Sequence, residues 1–185
     1  MQTSSVRTKL SATEYAVLGL LATDADQSGY DLMKRVERSV GYMWAPAKSG
    51  LYTVLARLEE AGLASAREAK ERGPSKTVYR ITSTGRDALE AWVSDPTLEL
   101  RPPRDPFLLK LHFARRVAPQ AAVAQVEAYR DHVDRLLAEW EAQERAAEGV
   151  AEPVDLITLR YALARARTTL AWCDETIETL GGTVP

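Results

Sequence analysis

One cysteine, Cys173, stands in a chain of 185 residues, so no intrachain disulfide can form. Only two histidines occur, His112 and His132. They are far apart and have no ligand cluster, which argues against a closed zinc site and gives neither a catalytic role. The longest apolar run, Ala16–Ala22, falls far short of the roughly 18–20 residues needed to cross a bilayer. The first nine residues lack the apolar stretch of a secretory signal. No Walker loop, G-x-G-x-x-G, H-E-x-x-H or G-x-S-x-G appears. These absences predict a soluble, cytoplasmic protein without metal or cofactor, and not an enzyme.

What is present predicts a folded core: 45% of residues are hydrophobic and 27% charged. Net charge is −2 and the sequence pI about 5.8, which alone disfavours nucleic acid. The charge is uneven, however. Residues 1–92 hold 13 basic and 11 acidic side chains, and residues 93–185 hold 11 and 15.

Cap chemistry marks the first elements. Ser11-Ala-Thr-Glu14 and Ser28-Gly-Tyr-Asp31 fit capping boxes, each followed by apolar residues at helical spacing. Gly41 is read as the terminator of the second helix. A third helix is predicted from about Ser49 to Ala61, with Leu51, Val54, Leu55 and Leu58 inward and Gly62 at its end. The period then changes. Leu63–Ala69 and Lys76–Ile81 read as a hairpin whose tip, Glu71-Arg-Gly-Pro-Ser75, is turn chemistry. Thr82 caps a fourth helix. Four prolines lie between Ser94 and Pro106, denying that stretch a helix. Beyond it the chain reads as all helix, with Asp105-Pro106 as cap and first turn and Pro119 opening a long helix to about Glu148. The expected organisation is a tail (1–10), a winged helix-turn-helix (11–93), a linker (94–106) and a helical dimerisation domain (107–185). The fold class is mainly α with a β-hairpin wing.

A winged helix-turn-helix sends its third helix into the major groove while the wing meets the backbone or minor groove. Lys48 and Ser49 stand where free amides and the helix dipole attract phosphate, and Thr53 and Arg57 follow on the outward face. Tyr52 lies at the edge of the apolar stripe, able to pack its ring and offer its hydroxyl. The wing adds Lys70, Arg72, Ser75 and Lys76 as candidate contacts. Residues 67–80 as a whole carry an excess of three positive charges. Tyr30 and Lys34 are candidate phosphate contacts.

Several segments together resemble the PadR family of bacterial transcriptional regulators. They are Ser11-Ala-Thr-Glu-Tyr-Ala-Val-Leu-Gly-Leu-Leu21, Ser28-Gly-Tyr-Asp-Leu32, Trp44, and the run Ser49-Gly-Leu-Tyr-Thr-Val-Leu-Ala-Arg-Leu-Glu-Glu-Ala-Gly-Leu63. Tyr79-Arg-Ile-Thr82, Gly85, Trp92 and Arg104-Asp-Pro-Phe-Leu-Leu-Lys-Leu111 continue the pattern. The long C-terminal part is similar to the larger of the family's two size classes. The resemblance implies a homodimeric repressor that small molecules release from DNA. Thr53 departs from the proline usual after the recognition-helix tyrosine, and Arg72-Gly-Pro-Ser-Lys76 departs in the wing.

The last helix carries a heptad stripe in which Leu156, Leu159, Leu163, Leu170, Ile177 and Leu180 are the expected dimer seam. Two-fold symmetry then implies a palindromic double-stranded operator. An apolar or aromatic effector is expected near the seam between the domains, lined by some of Trp92, Phe107, Trp140 and Trp172. The competing class is a winged-helix dimer that binds protein rather than DNA, which the acidic pI favours.

Overall fold

Local hydrogen bonding starts the first two helices in this computed structural model, which describes residues 10–22, 25–44, 48–69, 75–97, 104–149 and 156–182. Ser11 caps α1 (Ala12–Leu21): its Oγ accepts from the Glu14 amide, and the Glu14 carboxylate accepts from the Ser11 amide at 2.7 Å. Ser28 does the same for α2 (Gly29–Ser39), with Asp31 as its reciprocal partner. α3 (Lys48–Glu60) ends in a Schellman turn. Gly62 sits at φ 70°, its amide donates to Glu59, and the Leu63 amide donates to the Leu58 carbonyl. A residue without a Cβ is favoured there.

Val17, Leu18 and Leu21 of α1, Leu32 of α2, and Leu51, Leu55 and Leu58 of α3 are fully buried. Each contributes roughly 1.5–3 kcal/mol of gross burial energy. The antiparallel sheet contains β1 (Gln27–Ser28), β2 (Ala64–Ala69) and β3 (Lys76–Ile81) in the order β1-β3-β2. Gln27 pairs with Tyr79, and Ala64 with Ile81. The hairpin is therefore joined by a third strand, at a place where the sequence pattern predicts only a turn and a helix cap.

Thr82 caps α4 (Ser83–Ser94), accepting from the Gly85 amide and donating to the Gly62 carbonyl at 2.8 Å. A Cβ at Gly85 would strike the Leu63 backbone and the Ile81 side chain, so the glycine lets α4 close on the strand turn. These elements belong to the unit Met1–Leu98.

The second unit, Glu99–Pro185, holds α5 (Pro106–Val117), α6 (Pro119–Ala147) and α7 (Ile157–Gly181). Asp105 Oδ1 caps α5, accepting from the amides of Phe107 and Leu108. α6 and α7 run antiparallel, since Arg130 pairs with Asp174 while Glu144 pairs with Arg160. Between them are buried Ala122, Val126 and Val133 of α6 with Leu159, Leu163, Ala166 and Cys173 of α7. Burial pushes the Cys173 thiol up, away from thiolate character.

Part of the expected dimer seam is taken up inside the chain. Leu156, Leu159 and Leu163 are buried within one chain, and Leu170, Ile177 and Leu180 are half-buried. An antiparallel pair inside one protomer satisfies the same periodicity as a seam between two chains.

Candidate nucleic-acid interface

The buried stripe of α3 turns its other side to solvent. Tyr52, Thr53 and Arg57 are all exposed there, between Leu51 and Val54 on one flank and Leu58 on the next turn. Lys48 and Ser49 open the helix, with side chains outside the described residues. The Tyr52 ring lies against the first residue of α2, where a Cβ on Gly29 would stand 2.8 Å from the Tyr52 hydroxyl. Beside it, Tyr30, Met33, Lys34, Glu37 and Tyr52 line a hollow of about 300 Å³. Lys34 Nζ stands 4.6 Å over the Tyr30 ring, so a cation and two tyrosines share one end of the α2–α3 pair.

Two wing cations are already engaged. Arg67 and Arg80 both bind the Asp26 carboxylate, Arg80 Nε at 2.6 Å. The Arg80 and Arg67 hydrogen bonds hold that carboxyl below the usual range. The charge excess read for residues 67–80 is thus partly cancelled by a residue that lies outside that window. Ser75 and Lys76 are exposed at the start of β3, whereas Lys70 and Arg72 lie outside the described residues. Asp31 is also held low, first by the Ser28 hydroxyl, then by the Ser28 amide, with Lys76 and Lys34 adding to it.

The four singled-out aromatics divide between the units. Trp92 stacks on Tyr15 with centroids 4.6 Å apart and planes 7° from parallel. Phe107 stacks on Tyr129 at 4.0 Å and meets the edge of Trp172 at 6.4 Å. Trp140 and Trp172 line a cavity of about 690 Å³ within α5, α6 and α7, together with Tyr129, His132, Arg165 and Thr169. Phe107 backs this wall through Tyr129.

Sequence reasoning missed the contacts of Asp26 and Gly29 and the pairing of Tyr129 with Phe107. The helical period places Tyr129 on the α6 stripe, but its opposition to Phe107 is a contact that periodicity does not encode. Asp26 reaches partners 41 and 54 residues away, with no local signal.

Residues 17–91 match the family described as transcriptional regulator PadR-like, and residues 103–181 match the one described as virulence activator alpha C-term. Over 186 aligned positions the chain is 30% identical to the probable transcriptional regulator Rv1176c of Mycobacterium tuberculosis, covering 91% of this chain and 97% of that one. Two solved structures of Bacillus subtilis PadR share the fold. The complex with operator DNA is 22% identical, covers 92% of this chain and 99% of its own, and has a TM-score of 0.78. The complex with p-coumaric acid is 23% identical, covers 91% and 94%, and has a TM-score of 0.69.

Proposed function

The chain belongs to the PadR-like family of transcriptional regulators, and on that premise we propose that it is a sequence-specific DNA-binding repressor released by a small molecule. The observation that carries this reading is the outward face of α3, where Tyr52, Thr53 and Arg57 stand exposed on a helix fixed from behind by fully buried leucines. A rigid helix with a polar outer face is what a major groove admits. Family membership points to regulation rather than catalysis.

Arg57 reads a base edge, since a guanidinium matches the O6/N7 pair of guanine. Lys48, Ser49, Tyr52, Lys34, Tyr30 and the wing residues Lys70, Arg72, Ser75 and Lys76 hold the backbone. The unit ending at Leu98 carries DNA binding, the Pro-containing segment 94–106 links the two, and the second unit carries dimerisation. Leu109, Phe113 and Val117 of α5 and Ile157 and Tyr161 of α7 are exposed in the single chain, and exposed apolar side chains on each of these helices are suited to a second copy. A two-fold dimer reads a palindromic operator with half-sites about 34 Å apart. Such a protein works in the cytoplasm, and among the described residues no helix is long and apolar enough to cross a membrane.

Release needs little energy. A hundredfold loss of operator affinity corresponds to about 2.7 kcal/mol of differential effector binding. The relative crystallised with p-coumaric acid supports ligand response as the mode of control.

Substitution separates the two kinds of contact. Arg57→Ala is expected to cost about 1–3 kcal/mol and to relax preference at one base pair, while Lys76→Ala weakens all sequences alike. Equal losses from both, with specificity unchanged, would contradict the assignment of the base reader.

A further inference from the structure

We propose that Gln27 is a positioning residue for DNA recognition: its buried amide locks the wing to α1 and α2, and so fixes the wing's place beside α3. The proposal rests on the DNA-binding reading above and names the residue that makes helix and wing a single reader.

Gln27 is only 6% exposed, and a buried amide must find partners. Its Nε2 donates to the Leu20 carbonyl at 2.9 Å, one of the last carbonyls of α1, which the helix itself cannot satisfy. Its Oε1 accepts from Arg35 Nη1, in the second turn of α2, at 3.3 Å. Its backbone pairs with Tyr79 in β3 of the wing. One residue therefore touches the end of α1, the flank of α2 and the wing strand.

The flanking residues extend the same tie. Asp26 binds Arg67 of β2 and Arg80 of β3, and Ser28 caps α2 while pairing with Val78. Tyr79, opposite Gln27, packs against the core. Burial pushes its phenol up, with Glu59 and Tyr52 of α3 adding to the shift. Ion pairs made by exposed arginines contribute little, whereas a buried amide is costly to strip of its partners. Gln27 rather than Asp26 therefore sets the wing's position. A loosened wing keeps its charge, and with it affinity for any DNA. It must then be ordered on the operator, at a cost to specific binding alone.

The test starts from a duplex that the full-length protein selects from a random library, and compares its affinity with that of random duplex. Gln27→Met keeps the volume and removes both side-chain hydrogen bonds. It should lower the preference for the selected duplex about tenfold, while affinity for random duplex stays within about twofold. In the free protein, amide exchange should accelerate in β1 and β3 and stay native in α3, which a general loss of stability would not do. Arg35→Met, at an exposed position, removes only the α2 arm and should lower the preference several-fold. It carries the test if Gln27→Met does not fold. Arg35→Lys, which still donates, should keep the native preference. Native preference in both Met variants, equal losses on selected and random duplex, or faster exchange in α3 as well would each overturn the proposal and leave the regulator reading in place. A native protein that selects no sequence overturns both.

Discussion

The ring of Tyr52, on the outward face of α3, lies against the bare backbone of Gly29 at the first position of α2, with 2.8 Å from its hydroxyl to where a Cβ would be. The start of α2 thus meets α3 through a contact that a Cβ at position 29 would force Tyr52 to give up. Gly29→Ala is expected to cost at most about 1 kcal/mol of stability, since the exposed Tyr52 ring can swing aside, and to weaken DNA binding, because Tyr52 is displaced. In a Tyr52→Ala background the same substitution should cost almost nothing. A double-mutant cycle by urea unfolding measures this coupling, and strictly additive costs would contradict the contact.

Asp26 restrains the wing. Asp26→Asn would release Arg67 and Arg80 from their shared carboxylate. The expected outcome is tighter binding to DNA of any sequence, with the log–log salt slope steepening by about 0.9 for each arginine that reaches a phosphate. Stability should barely change, since exposed pairs contribute little. Titrations against random duplex at several salt concentrations check it; an unchanged slope would show that the arginines face away from DNA.

Acid sensitivity should begin at the α2 cap. The Asp31 carboxyl is depressed in the folded chain by the Ser28 hydroxyl and amide, then by Lys76 and Lys34. A depressed carboxyl stabilises above its unfolded pKa and loses that contribution as pH falls through the folded value. Asp31→Asn should therefore cost about 0.5–1 kcal/mol at pH 7, the low end for a helix cap partly screened by solvent. The gap to the native protein should close below about pH 4. Parallel urea melts across that range measure the gap, and a difference independent of pH would refute the assignment.

Two kinds of substitution on α7 should behave differently. Leu163 is buried inside the chain, so Leu163→Ala should cost about 2–5 kcal/mol of protomer stability. Ile157→Asp with Tyr161→Asp alters exposed positions and should leave the protomer folded while abolishing self-association. Sedimentation velocity with circular dichroism distinguishes these outcomes. A native-like dimer in the double variant would place the interface elsewhere.

Much of the fold was legible because its signals are local. Ser11 with Glu14, Ser28 with Asp31, Thr82, Asp105 and Gly62 each act within a few residues, where hydrogen-bond chemistry leaves few alternatives. The strand state of Gln27 and Ser28 was not legible. Neither residue is a strand former, and pairing with Tyr79 and Val78 imposes the conformation from outside. The α7 stripe was legible as a stripe, but its partner was not, because an apolar heptad does not say whether the covering helix is in its own chain or another. Of the candidate interface, the outward residues of α3 followed from the helical period. Asp26 acts through three-dimensional proximity and left no mark at sequence level, while Gly29 stood in the Ser28-Gly-Tyr-Asp-Leu32 segment without its contact to Tyr52 being legible.

The most direct test of the account is a nuclease footprint on DNA upstream of the protein's own gene, in the presence of excess random duplex. The account predicts two protected, symmetry-related half-sites with centres about 10 base pairs apart or a small multiple of that. Protection should be lost in Arg57→Ala at concentrations that suffice for the native protein. Protection no stronger than on random DNA of the same length would contradict it.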